Sequence, residues 1–119
     1  MAPLPSMSQR SKIVHTVTSA NFEEEVLQAA IPVLVDFTAT WCGPCKQLGR
    51  VLEQIAEAEA GRVKVVAIDI DDAPDLAARH GVRSVPTVVA FDRGEKIAQR
   101  VGLTSRDALM ALLQARAVA

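Results

Sequence analysis

The chain has 119 residues, half of them hydrophobic, with 13 Lys and Arg against 14 Asp and Glu. That is one domain's worth of sequence, enough to bury a single core without disulfide staples and too little for a second domain. A net charge of -1 provides no field that would draw the protein to nucleic acid or to an anionic membrane, and the longest apolar runs, around Val33 to Val35 and Val63 to Ile68, fall far short of the roughly 20 residues of a spanning helix.

Residues 1–12, MAPLPSMSQRSK, are rich in Pro and Ser and hold no apolar segment of the kind a secretory signal needs. They read as a flexible N-terminal tail ahead of one domain over 13–119. A short organellar transit segment is the alternative, because no acidic residue precedes Glu23, and Met7 is a second candidate start.

From Ile13 the pattern alternates between strand and helix. Ile13 to Val17 is a short β-branched run that suits a strand. Asn21, with Glu24 three residues on, is a candidate N-cap for a helix whose Phe22, Val26 and Ala30 recur at helical spacing. PVLVDF, Pro32 to Phe37, is a continuous apolar run rich in valine, as expected of a central strand covered on both faces. Leu48, Val51, Leu52, Ile55 and Ala56 then form one apolar stripe on a helix predicted to end near Gly61. Val63 to Asp69 is a second buried strand. Pro74 opens a short helix, Asp75 to His80, that Gly81 stops. Val88 to Phe91 and Lys96 to Val101 flank DRGE as a hairpin in which Gly94 takes the positive φ. Thr104 and Asp107 are a capping pair for a last helix that turns Leu109, Leu112 and Leu113 inward. The order β-α-β-α-β-α-β-β-α predicts an α/β fold, a mixed sheet between helices with right-handed crossovers first and an antiparallel edge last.

The chain's only two cysteines lie in DFTATWCGPCK, Asp36 to Lys46. Zinc would require two more ligands, and His15 and His80, the only histidines, read as ordinary strand and helix-end residues. A purely structural disulfide is poorly motivated, because closing so short a loop removes little entropy from the unfolded chain. Reactive thiols remain. Cys42 follows a buried strand and opens the amphipathic helix, where unpaired N–H groups and the macrodipole stabilise a thiolate. It is therefore the expected nucleophile, exposed and with a lowered pKa, and Cys45, one turn further in and more buried, would attack second. Gly43 allows a tight turn and Pro44 starts the helix.

Asp36 lies inside an apolar strand, where an ionised carboxylate is costly. It is either paired with a buried partner or a proton carrier of raised pKa. Trp41 is either core or surface, and VPT at Val85–Thr87 is compatible with a plain trans turn before a strand.

WCGPCK resembles the active-site motif of the thioredoxin family, and the likeness extends over about residues 13 to 117. VRSVPT is similar to that family's loop with a cis-proline facing the disulfide, DRGE to its hairpin turn, and RVG to the glycine beside its substrate groove. The resemblance implies a thioredoxin fold of about five strands and four helices, with Val85–Pro86 cis. It implies a docking patch of Trp41, Gly43, Pro44, Val85, Pro86, Val101 and Gly102, and a role for Asp36 as proton acceptor and donor to Cys45. The implied activity is general protein-disulfide reduction by a cytoplasmic monomer through dithiol–disulfide exchange at Cys42 and Cys45. No cofactor would be bound, and NADPH would act only through a separate thioredoxin reductase. Ribonucleotide reductase, peroxiredoxin and methionine sulfoxide reductase are the client types the resemblance brings. A disulfide isomerase, or a binding module indifferent to redox state, are the alternatives, and Gly-Pro between the cysteines favours the reducing role. Three positions depart from the family pattern: Thr38 stands for a common Trp, Ala67 for a lysine beside the buried Asp, and Arg50 for a helix-kinking proline.

Overall fold

The computed structural model describes residues 14–115, so the predicted tail, Ile13 and the last four residues lie outside the described part. Nine elements follow in the predicted order: β1 (Val14–Thr16), α1 (Glu23–Leu27), β2 (Val33–Thr38), α2 (Gly43–Ala58), β3 (Lys64–Asp69), α3 (Pro74–Arg79), β4 (Thr87–Asp92), β5 (Glu95–Val101) and α4 (Arg106–Leu112).

The five strands form one mixed sheet in the order β1-β3-β2-β4-β5. β3 runs parallel to both β1 and β2, whereas β4 is antiparallel to β2 and β5. β2 is central, as its unbroken apolar run requires, and its alternating side chains feed two cores. Val33, Val35 and Phe37 join Val66, Ile68, Val89 and Phe91 beneath Phe22, Val26 and Leu76 of the α1 and α3 side. Leu34 joins Val65, Val88 and Ala90 beneath Leu48, Leu52 and Ile55 of α2 and Leu109 and Leu112 of α4. The period of two along each strand and the apolar stripe on each helix thus meet in a three-layer arrangement.

Local details differ from the sequence expectations at four places. α1 is a single wide turn of π type, with the Gln28 N–H donating back to the Glu23 carbonyl at 2.9 Å. Asn21 does not cap it: its Oδ1 accepts from the Thr18 N–H at 2.8 Å, and Phe22 holds the N-cap position without a side-chain bond. The turn stops at Leu27, and Pro32, just ahead of β2, biases Ile31 toward extended backbone. Ala30 is left exposed while Leu27 and Ala29 pack on the core.

α2 ends at Ala58, short of Gly61, which turns the chain at φ 83°. The α4 cap is displaced by one residue from the predicted pair: Ser105 Oγ accepts from the Ala108 N–H at 3.2 Å, so the Thr104–Asp107 pair is not the cap. In the β4–β5 hairpin both Arg93 (φ 52°) and Gly94 (φ 82°) are left-handed, where a positive φ was expected of the glycine alone. A two-residue turn of this kind needs both, because only then does its twist match the strands.

Gly94 is also crowded, since a Cβ there would lie 3.0 Å from the Leu27 carbonyl oxygen, while Gly61 at φ 83° faces open space. Gly94→Ala should therefore destabilise the protein by more than the roughly 1–2 kcal/mol cost of a left-handed L-residue, and Gly61→Ala by about that cost alone. Urea unfolding of the two variants checks this, and equal losses would show that the Leu27 contact is not restrictive.

Candidate active site

β2 ends at Thr38, and the four residues from Ala39 to Cys42 carry the chain from the sheet into α2. The Cys42 N–H donates to the Ala39 carbonyl at 3.2 Å, and Cys42, in extended conformation, is the N-cap of α2. Its Sγ accepts from the Cys45 N–H at 3.2 Å. Sulfur here takes the place of the oxygen that usually satisfies an open helix N–H. Cys42 and Cys45 are joined as a disulfide with Cα atoms 5.3 Å apart. One turn of helix opened by Gly43 and Pro44 therefore brings two sulfurs together at the positive end of a sixteen-residue dipole.

Cys42 is not more exposed than its partner to any useful degree: the two residues are 5 % and 3 % accessible. In the disulfide form, exposure does not separate their roles. Their positions differ, the Cys42 sulfur being the one held at the helix end.

The expected docking residues come together around this pair. Val85–Pro86 is cis. Val85, half-buried, packs with Ile70 against Ala39, Cys42 and Cys45, and Pro86 is buried. The Gly102 N–H donates to the Pro86 carbonyl at 2.8 Å, which ties the end of β5 to this loop, and Gly102 has φ 91°. Gly43 and Pro44 are exposed.

Trp41 is surface, not core. It is 67 % exposed, with Val101 at 59 % and Leu103 at 51 %, and these are the large hydrophobic residues left in solvent among the described residues. Its ring is nevertheless anchored, because indole Nε1–H donates to Asp71 Oδ2 at 2.9 Å across 30 residues of sequence. Asp71 is in turn held by its own N–H, which donates to Asp69 Oδ1 at 2.8 Å.

Ile70, Asp71 and Leu103 were missed by sequence reasoning. Leu103 carried a weak signal, an apolar residue directly after the groove glycine; the other two carried none, since their contacts depend on β3 ending beside the Cys42 loop.

Asp36 is 4 % exposed, and its Oδ1 has no hydrogen-bond partner. Of the two readings open from sequence, the absence of a partner for Oδ1 disfavours a satisfied structural pair. Asp36 is in register with Ala67 of β3 and Val88 of β4 and shares the α2-covered face with Leu34. Ala67 brings no cation to it. Burial alone pushes the Asp36 carboxyl up to about 7, because an ion in that apolar surrounding loses its hydration.

Among the described residues no three of His, Cys, Asp and Glu come together as metal ligands, and no helix is long and apolar enough to cross a membrane.

Comparison with known proteins agrees with this geometry. The family model described as Thioredoxin matches residues 13–115. The chain belongs to the thioredoxin family. It is 40 % identical over 98 residues to the thioredoxin of Rickettsia felis, covering 82 % of this chain and 93 % of that protein. It is 43 % identical over 100 residues to the thioredoxin of the alga Pyropia yezoensis, covering 84 % and 94 %. Against Thioredoxin 1 of a Nostoc species it is 41 % identical over 98 residues, 82 % of this chain and 92 % of the other. With its Cys-x-x-Cys pair at disulfide distance, this member of the thioredoxin family is a protein-disulfide reductase. Thioredoxins as a family exchange electrons with a thioredoxin reductase and with disulfide-containing clients.

The Asp36 environment has a measurable thermodynamic signature. Its folded value of about 7 lies above the ordinary 3.8, so between those pH values the native state keeps a proton that the unfolded chain has released. Stability therefore falls as pH rises through this window, and the full cost is present above pH 7. At 1.36 kcal/mol per pH unit the cost is about 4 kcal/mol at most. Asp36→Asn should gain stability over the native chain at pH 8 and lose that advantage at pH 4, as read by chemical denaturation of the oxidised protein. A difference that does not change with pH would refute the burial account.

Proposed function

We propose that the chain is a general reductant of protein disulfides in which Cys42 attacks and Cys45 resolves. The observation that carries the assignment is the position of the Cys42 sulfur, at the N-cap of α2 and accepting the Cys45 N–H. A thiolate there is stabilised by the helix end, and Cys45, one turn inside, has no comparable donor position.

In the reduced protein the Cys42 thiolate attacks one sulfur of a client disulfide, forming a mixed disulfide and expelling the other client sulfur as thiolate. The Cys45 thiol then loses its proton and attacks Cys42 Sγ, the second client sulfur leaves, and the two electrons of the dithiol have passed to the client. Asp36, neutral or charged with nearly equal ease near neutral pH, is suited to take the Cys45 proton and return it. The chain itself needs no bound cofactor for these steps. NADPH contributes through a separate thioredoxin reductase, which restores the dithiol.

Trp41, Gly43, Pro44, Val85, Pro86, Val101 and Gly102, joined by Leu103, form the docking surface. Its exposed apolar groups are dehydrated when a client covers them, and an extended client segment can pair with the Val85 backbone in strand fashion. Ribonucleotide reductase, peroxiredoxin and methionine sulfoxide reductase are the client types that fit such a reductant, acting as electron acceptors of a monomer in the cytoplasm.

Reduction of a disulfide-bonded protein, coupled to thioredoxin reductase and NADPH, should proceed with the native chain and fall to background when both cysteines are serine. Retained partner binding without turnover would instead favour a redox-independent binding module, and reshuffling without net NADPH use an isomerase. In the same system Cys45→Ser should accumulate covalent client adducts on Cys42; adducts recovered from Cys42→Ser instead would reverse the two roles.

Asp36→Asn should leave formation of the mixed disulfide nearly unchanged and slow its decay, by roughly 100-fold or more for loss of a positioned base. Rapid-mixing kinetics from acid to alkaline pH separate the two steps. Superimposable decay profiles would reduce Asp36 to a structural residue.

A further inference from the structure

On the sheet face opposite α2, the C-terminus of α3 is packed by a histidine rather than by a hydrophobic residue. The His80 ring lies against three phenylalanines, with centroids 5.2 Å from Phe22, 6.3 Å from Phe37 and 5.4 Å from Phe91, the last edge-on at 90°. Its Nε2 is buried and has no hydrogen-bond partner. As a neutral ring with Nε2 unprotonated, His80 is a serviceable apolar filler. Once protonated it would carry a second N–H into the aromatic pocket with no acceptor there, an arrangement that buried polar groups avoid.

The charges around it add to that cost. α1, β2 and β4 present Phe22, Phe37 and Phe91, which are uncharged. The groups bearing on the ring are both cations, Lys96 of β5, whose Nζ donates to the His80 carbonyl at 3.3 Å, and Arg79 of α3. Of the acids nearby, Asp75 accepts from Ser19 Oγ at 2.7 Å, Glu23 is exposed, and Asp92 and Glu95 each have interactions. Desolvation and the two cations all hold the His80 pKa below its ordinary 6.5.

What the ring anchors is short and leads straight to the sulfurs. His80 is the C-cap of α3, with its N–H donating to Leu76 at 3.1 Å; the Gly81 and Val82 N–H groups donate to Ala78 at 3.2 Å and Ala77 at 2.8 Å. Val82 packs on the same aromatic core as the ring. Three residues further on is Val85, in contact with Cys42 and Cys45.

We propose that His80 is an acid-sensitive latch: the neutral ring clamps the end of α3 into the Phe22–Phe37–Phe91 cluster, and its protonation loosens the segment from Gly81 to Val85 that borders the disulfide. The device lies outside the thiol chemistry, so it holds or fails independently of the roles assigned to the cysteines.

Amide hydrogen exchange on the full oxidised chain tests it. The hydrogen-bonded Gly81 and Val82 amides, corrected for intrinsic exchange, should lose protection between pH 7.5 and pH 5. In His80→Phe, which keeps an aromatic ring but cannot titrate, that loss should vanish. Should the variant fold poorly, the native protein suffices, because the His80 ring resonances must then titrate with a midpoint below 6.5. An equal loss of protection in His80→Phe, protection independent of pH in the native chain, or a His80 midpoint at or above 6.5 would overturn the latch.

Discussion

The reactive end of this molecule depends on one junction, where a strand buried on both faces passes into a helix whose first open N–H must find an acceptor. β2 is wrapped by two cores and is hydrogen-bonded on both sides, so its course to Thr38 is fixed by burial and by ladders to β3 and β4. The ladders end with Thr38 against Asp69 of β3 and Phe37 against Thr87 of β4, and the chain turns. Placing cysteine at the N-cap satisfies the helix with sulfur and, by the same geometry, leaves that sulfur in the field of the dipole. Folding and reactivity are served by a single hydrogen bond.

How much of this could be read in the sequence depended on whether the signal was local. The buried strands, the apolar stripe of α2 and the Cys-Gly-Pro-Cys turn are short-range patterns, and the structure has them in place. Errors arose where two local rules competed or where the partner was distant. Thr104 and Ser105 are both good caps, and the choice fell to Ser105, which directly precedes the helix. Phe22, Val26 and Ala30 have helical spacing, yet the turn ends at Leu27 and Ala30 is left exposed. Trp41 could not be assigned to surface or core from its type, because the Asp71 carboxylate that anchors it lies 30 residues on, in the turn after β3.

Two ionisable side chains reach into opposite faces of the same sheet, Asp36 buried and His80 half-buried with its Nε2 inside, and each is there for a different reason. Asp36 lies among aliphatic residues under α2, with no cation at Ala67 to offset its charge, and is costly when ionised. His80 lies among aromatic rings under α1 and α3 and is costly when protonated. The two penalties have opposite pH dependence. The native state therefore carries a tension between acid and alkaline conditions that neither residue would create alone.

The edges of the sheet carry a further consequence. β1 has three residues among those described, and β5, the other edge, exposes Glu95, Lys96 and Arg100 and is offset by an irregularity where Ala90 and Phe91 meet it. A short strand offers few ladder positions, while charge and a bulge discourage a foreign strand from aligning. A protein that leaves Trp41, Val101 and Leu103 in water risks self-association through them. Charge and a bulge along the β5 border thus discourage association by sheet extension there and leave the apolar end as the more adhesive surface.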